Sequence, residues 1–143
     1  MPATERRTRQ RSLRLAEGTL RLLDSRSKET AQSSNRLAQR LLDEALRTDR
    51  HPLIVFREGA SGRRRPSVIG TRIDVAHVIA SLRASRGSVK LAAGYLGIPE
   101  TQVRACVSYY AEFKDEVDAF MDEEREVAQL EEERWQREQQ VID

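Results

Sequence analysis

Hydrophobic and polar positions alternate in twos near the start of the chain and recur at helical spacing almost everywhere after it. Over residues 8–15 the run T-R-Q-R-S-L-R-L puts Arg9, Arg11, Leu13 and Leu15 on one face and Thr8, Gln10, Ser12 and Arg14 on the other. That pattern predicts a short strand too polar to be buried. Its backbone donors and acceptors need a neighbour, which a second copy of the chain would supply. Residues 16–18 break the alternation, and Leu20, Leu22 and Leu23 open a helical pattern reaching about residue 30. Ser33 or Ser34 can cap the next helix by accepting from its free first-turn amides. That helix is expected over 35–47, with Leu37, Leu41, Leu42, Ala45 and Leu46 forming a broad apolar face. A strand and two helices within forty residues enclose too little volume for a monomeric core, whereas two copies could bury four helices.

Residues 48–52 have linker chemistry. Residues 53–56 then read as a strand, 58–62 as a turn and 66–69 as the returning strand of a hairpin, with Arg63, Arg64 and Arg65 between them. Helices are expected over 75–84 and 89–96, the second capped by Ser88 and ended by Gly97. A longer helix starts near Glu100. Helix, turn, short helix, G-I-P-E turn and helix is the outline of a helix-turn-helix module, in which Ala92 and Ala93 would let helices approach closely. In a DNA-reading version Glu100, Thr101, Gln102 and Arg104 would begin the recognition helix; in the other version the unit is a folding and dimerisation core.

From Phe113 the chain reads as helical and acidic. Phe113, Val117, Phe120 and Met121 make one good apolar stripe, and beyond it Val127, Leu130 and Trp135 are islands among glutamates. A helix this polar gains little by packing on its own domain. Residues 113–130 are therefore expected to be a contact surface for a partner protein or for the sister subunit. Residues 131–143 could equally be a solvated acidic helix.

Charge sharpens this division. The net charge is +2, yet residues 1–50 carry +5, residues 51–99 carry +6 and residues 100–143 carry −9. A basic front with an acidic end points to a nucleic-acid surface and a separate surface with another task. No apolar run reaches membrane-spanning length and the N-terminus lacks a signal-peptide core, so no membrane partner and a cytoplasmic location are expected. The single cysteine, Cys106, excludes internal disulfides and a cysteine-rich zinc site. His51 and His77 have no matching nucleophile or ligand cluster, and the carboxylates are spaced like a solvated face rather than a paired acid and base. The expectation is a protein that is not an enzyme and takes no cofactor or metal.

The pattern of residues 8–47, with S-L-R-L and S-S-N-R-L-A-Q-R-L-L-D-E-A-L, resembles a ribbon-helix-helix DNA-binding domain. The resemblance implies that Gln10, Ser12 and Arg14 read base edges in the major groove. It also implies that Arg9, Arg11, Ser33, Ser34 and Asn35 contact phosphates, with Leu13 and Leu15 in the core. Arg11 stands where that family usually has an apolar residue. Residues 51–120, through H-P-L-I-V-F-R-E-G, G-R-R-R-P-S-V-I-G-T-R-I-D-V, Y-L-G-I-P and V-S-Y-Y-A-E-F-K-D-E-V-D, resemble a small antitoxin-type domain of unassigned function. There Gly70 would make a turn and Arg72 would anchor it. In that order the two parts are similar to a VapB-type antitoxin of a type II toxin–antitoxin system, whose toxin is a PIN-like ribonuclease.

The expected architecture is thus mainly α: a ribbon-helix-helix with one short strand paired across a dimer, then a β-hairpin and trihelical domain with a long C-terminal helix. Its divisions are a basic arm over 1–7, the DNA-binding domain over 8–47, a linker over 48–52, the antitoxin domain over 53–122 and an acidic tail over 123–143. The resemblance implies double-stranded operator DNA, a PIN-like ribonuclease and a homodimer or higher even oligomer as partners. The ribonuclease would be met by Phe113, Val117, Phe120, Met121, Arg125, Val127, Leu130, Arg134 and Trp135. An arginine such as Arg125, Arg134 or Arg137 could displace the metal from its acidic site. Two further readings stay open: a dimeric transcription regulator without a toxin, and an RNA-binding or nucleoid architectural module.

Overall fold

The computed structural model describes residues 7–59 and 61–142. The chain divides into two compact units, one ending at Asp43 and the other beginning at Glu44. It is mainly helical, with one two-stranded antiparallel sheet. The arm expected over 1–7 lies, apart from Arg7, outside the described residues, as does Ala60 of the expected turn.

In the first unit, residues 7–16 have no regular secondary structure and are exposed. The strand expected over 8–15 does not form in the single chain. A strand ladder needs a second strand to accept its hydrogen bonds, and none pairs with this stretch among the described residues. Leu13 and Leu15, expected in a core, are accordingly 60% and 44% exposed. Helix α1 (Glu17–Thr30) begins earlier than the leucine pattern suggested, because residues 17–19 join the helix without any apolar signal. It ends on Ala31, held left-handed at φ 53°, and the amide of Gln32 donates to Ser27 O at 3.2 Å. Helix α2 (Ser34–Arg50) follows, with the Ser33 hydroxyl accepting from the Arg36 amide at 3.2 Å. It runs through residues 48–50, which were expected to be linker. Nothing in Thr48, Asp49 or Arg50 breaks a helix, and Pro52 supplies the stop.

The second unit takes in the end of α2 from Glu44 and continues into a hairpin of β1 (Ile54–Glu58) and β2 (Arg64–Val68), in register Ile54 with Val68 and Glu58 with Arg64. Both strands sit closer to the turn than the apolar residues alone indicated, since cross-strand bonding extends through Arg57 and Arg65. Gly70 turns the chain at φ 74°. The anchor there is Thr71 and not Arg72: the Thr71 hydroxyl donates to Val68 O at 2.9 Å and accepts from the Ile73 amide at 3.0 Å, while the Arg72 side chain is exposed.

Helices α3 (Val75–Ala84), α4 (Val89–Leu96) and α5 (Glu100–Glu112) then form the trihelical unit. Ser88 caps α4 by accepting from the Leu91 amide, and Gly97 closes it left-handed at φ 69°. Val75, Val78, Ile79, Ala92, Ala93, Val103, Cys106 and Tyr109 interlock with Ile54 and Val68. The expected long helix is broken once, at Phe113 (φ −119°, ψ 41°), and α6 (Lys114–Ile142) restarts there. This break returns the first turns of α6 to the core. Val117, Phe120 and Met121, expected at a partner surface, are instead 0, 3 and 5% exposed, and Phe113 packs against the same cluster. Burying that stripe inside the unit removes it from any external contact.

Candidate functional site

Two surfaces carry chemistry, one in each unit. In the first, Arg9, Gln10, Arg11, Ser12 and Arg14 are all exposed along a stretch without regular secondary structure. The turn into α2 brings Ser33, Ser34 and Asn35 to a helix N-terminus, where free amides favour an anion. Ser33 and Asn35 are exposed and Ser34 is half-buried. The Ser33 oxygen already serves the Arg36 amide, and the Ser34 hydroxyl lies 3.4 Å from Asp24 Oδ1. Asp24 was not foreseen at this point. Its carboxylate opposes an anion beside Ser34, which leaves the backbone amides and Asn35 as the better phosphate ligands.

Four of the eight cations of residues 51–99 are paired internally. Arg63 pairs with Glu123, Arg64 with Glu44 at 2.7 Å, and Arg65 with Asp74 at 3.2 Å and Glu124 at 2.8 Å. Arg63 and Arg65 also stack over the Phe120 ring at 5.0 and 4.8 Å. Arg57 donates to the buried Ser67 hydroxyl at 3.0 Å and to Asp74 at 2.9 Å. Arg63 and Arg65 fasten α6 to the hairpin, Arg64 fastens it to α2, and none of the four presents a phosphate surface. A second such fastening joins Arg47 to Glu116 and, at 2.9 Å, to the Tyr109 hydroxyl, over the Phe113 ring at 4.2 Å. Burial works against the Arg47 charge, yet the hydrogen bonds to Glu116 and Tyr109 outweigh it and hold the guanidinium above its ordinary pKa.

The start of α5 is a weak reading surface. Thr101 and Arg104 are exposed, Gln102 is half-buried, and Glu100 lies 3.9 Å from Arg104. The groove between α3 and α4 was missed by the sequence. It has a volume of about 540 Å³ and is lined by His77, Ala80, Ala84, Leu91 and Tyr95 among others, with no Asp, Glu, Lys or Arg. Tyr95 is 80% exposed and Leu91 65%. The leucine-rich spacing of α4 hid this, because only the structure separates Ala92 and Ala93, which face inward, from Leu91 and Tyr95, which do not.

The last part of α6 is the other surface. Val127, Leu130 and Trp135 are exposed, as are Val141 and Ile142, which sequence reasoning had passed over at the chain end. Arg125 lies 3.7 Å from Asp122 and Arg134 pairs with Glu138 at 3.0 Å, both in solvent. Neither histidine sits in a catalytic arrangement. His51 Nε2 lies 2.9 Å from Glu112 Oε2 and its ring packs edge-on to Tyr109, while His77 is exposed. Burial pushes the Cys106 thiol up to about 12, which removes its nucleophilicity near neutral pH. Among the described residues no cluster of His, Cys, Asp or Glu could hold a metal ion, and no helix is long and apolar enough to cross a membrane. No family model matches the chain, and no curated protein or solved structure is similar to it.

Proposed function

We propose that this chain is an autoregulatory DNA-binding antitoxin of the VapB type, with residues 8–15 forming half of a major-groove ribbon in a dimer and the acidic far end neutralising a PIN-like ribonuclease. The observation that carries the reading is the first unit. An irregular, exposed stretch bearing Gln10, Ser12 and Arg14 precedes two helices joined by a tight turn, and Leu13 and Leu15 on it and Leu20 and Leu22 on α1 are all exposed. Such a segment gains a core by pairing with a second copy, which would also double the reading surface. The backbone amides opening α2 suit a phosphate beside it. Fluorescence anisotropy on DNA from upstream of the chain's own reading frame tests this. Arg14→Ala should weaken binding ~10-fold at particular base positions. Uniform weakening on every sequence would overturn base reading and favour a non-specific nucleic-acid module.

The ribonuclease contact narrows to residues 125–142, with Val127, Leu130 and Trp135 as apolar contacts and Arg125, Arg134 or Arg137 reaching the acidic site. Co-expression with the nuclease encoded beside it, where one is present, should give a complex that Trp135→Asp weakens. A regulator without a toxin is the second reading. It is favoured by the burial of Val117, Phe120 and Met121, which takes most of the expected contact stripe out of reach. Specific DNA binding with no nuclease co-purifying would decide for it.

A further inference from the structure

The distal part of α6 and the α3–α4 groove are complementary, and each is exposed. The last buried residue of α6 is Met121, and the helix continues to Ile142, about 30 Å beyond it. On a helix, Val127, Leu130, Trp135, Val141 and Ile142 fall within less than half the circumference. Around that face residues 122–142 carry eight carboxylates and three arginines. The groove offers the opposite. Its lining is uncharged, with Ala80 and Ala84 as a low floor between Leu91 and Tyr95, and its volume of about 540 Å³ accommodates an indole and a neighbouring side chain. Residues 75–99 contain no Asp or Glu, and the exposed Arg86 and Lys90 stand next in sequence to the lining residues Ser85 and Leu91.

We propose that the α3–α4 groove receives the distal part of α6 from a second copy of this chain, with Trp135 as the anchoring side chain. A continuous helix leading away from Met121 cannot return to the groove of its own chain, so the occupant has to be another molecule. Pairing two tails with each other would set their carboxylates side by side, whereas tail in groove brings carboxylates toward the exposed Arg86 and Lys90. Each chain gives one tail and takes one, so the exchange closes as a two-fold pair. The inference does not rest on the antitoxin reading. In that reading it describes where the tail is held before the ribonuclease takes it.

Trp135 is the single tryptophan, so its emission reports the site directly. In the full-length protein at micromolar concentration, its emission should be blue-shifted relative to N-acetyltryptophanamide and protected from acrylamide. Ala84→Arg, a change at an exposed position, should remove both effects with helix content unchanged; Tyr95→Ser should do the same by removing a wall. Mixing Ala84→Arg with Trp135→Phe should then restore the blue shift, because the intact tail of the first finds the open groove of the second. A fully exposed Trp135 in the wild-type protein would overturn the proposal. So would a protected Trp135 that Ala84→Arg and Tyr95→Ser leave unchanged, or one that mixing fails to restore. Loss of operator binding by Arg14→Ala is read on a different surface, so the two ideas fail separately.

Discussion

The two units spend their hydrophobic residues in opposite ways. In the second, fifteen residues from Ile54 to Met121 form one buried cluster, and the large apolar side chains exposed outside it are Leu91 and Tyr95 in the α3–α4 groove, those of the tail, and the scattered Leu46, Ile69 and Val107. In the first, helix α1 buries nothing and Leu37 is the sole buried residue among those described, while Leu13, Leu15, Leu20, Leu22, Leu41 and Leu42 are exposed. The second unit is therefore a folded object in its own right. The first is an amphipathic half whose leucines lower the free energy only when something covers them. The same contrast holds for charge: arginines of the hairpin are paired with Glu44, Asp74, Glu123 and Glu124, whereas Arg9, Arg11 and Arg14 make no ion pair among the described residues.

The sharpest way to break this contrast is through Tyr109, the largest fully buried side chain, which packs against Phe113 at 4.7 Å between ring centroids. Tyr109→Ala should cost about 4 kcal/mol in the second unit. Denaturant titration followed by circular dichroism should show that loss in one transition. Little change would mean that the core is looser than its burial indicates. Next in size is Arg47→Met, which leaves the half-buried Glu116 carboxylate without its cation. The expected cost is about 3 kcal/mol, with much of it recovered in the double variant Arg47→Met, Glu116→Met. No recovery would show that Arg47 acts through its stacking on Phe113 and not through its charge.

A smaller effect belongs to the first unit. Ala31 closes α1 at φ 53°, a region that costs an L-residue about 1 kcal/mol and glycine almost nothing. Ala31→Gly should therefore stabilise α1 by up to about 1 kcal/mol and slow hydrogen exchange in its last turn. Exchange across α3 to α5 should stay as it was. A simultaneous change there would show that the two units unfold together.

Much of the second unit was legible. The limits of α3 and α4, the Ser88 cap and the Gly97 stop follow from local chemistry that tertiary contacts had no reason to override. Three features were not. The break at Phe113 has no proline or glycine to announce it; it follows from closing Tyr109 and Val117 onto one core. The fate of Arg63, Arg64 and Arg65 depended on which glutamates folding would bring opposite them, and sequence spacing says nothing of that. Leu91 and Tyr95 looked like ordinary helix residues until the direction of Ala92 and Ala93 was known. For the ribbon the difficulty is of another kind, since alternation over residues 8–15 describes what a strand would do once a second one is present.

The smallest expected effect tests how far surface charge contributes to the second unit. Lys114 donates to Asp118 Oδ2 at 2.7 Å and the Tyr110 hydroxyl donates to its other oxygen at 2.7 Å, while Arg83 donates to Tyr110. The hydrogen bonds from Lys114 and then Tyr110 hold the Asp118 carboxyl below its ordinary value, and Asp118 in turn raises Lys114. A carboxyl lowered on folding stabilises above its unfolded pKa, and that contribution fades as pH falls through the folded value. An ammonium raised on folding stabilises below its unfolded pKa and loses the contribution as pH rises through the folded one. Both limbs meet in this one pair, so Asp118→Asn should flatten the acid side and the alkaline side of the stability–pH curve together. Its effect at neutral pH should be slight, because the Lys114 side chain is 62% exposed and solvent screens the pair. A variant that altered only the acid limb would mean that Tyr110, relayed from Arg83, and not Lys114 is what holds the carboxylate.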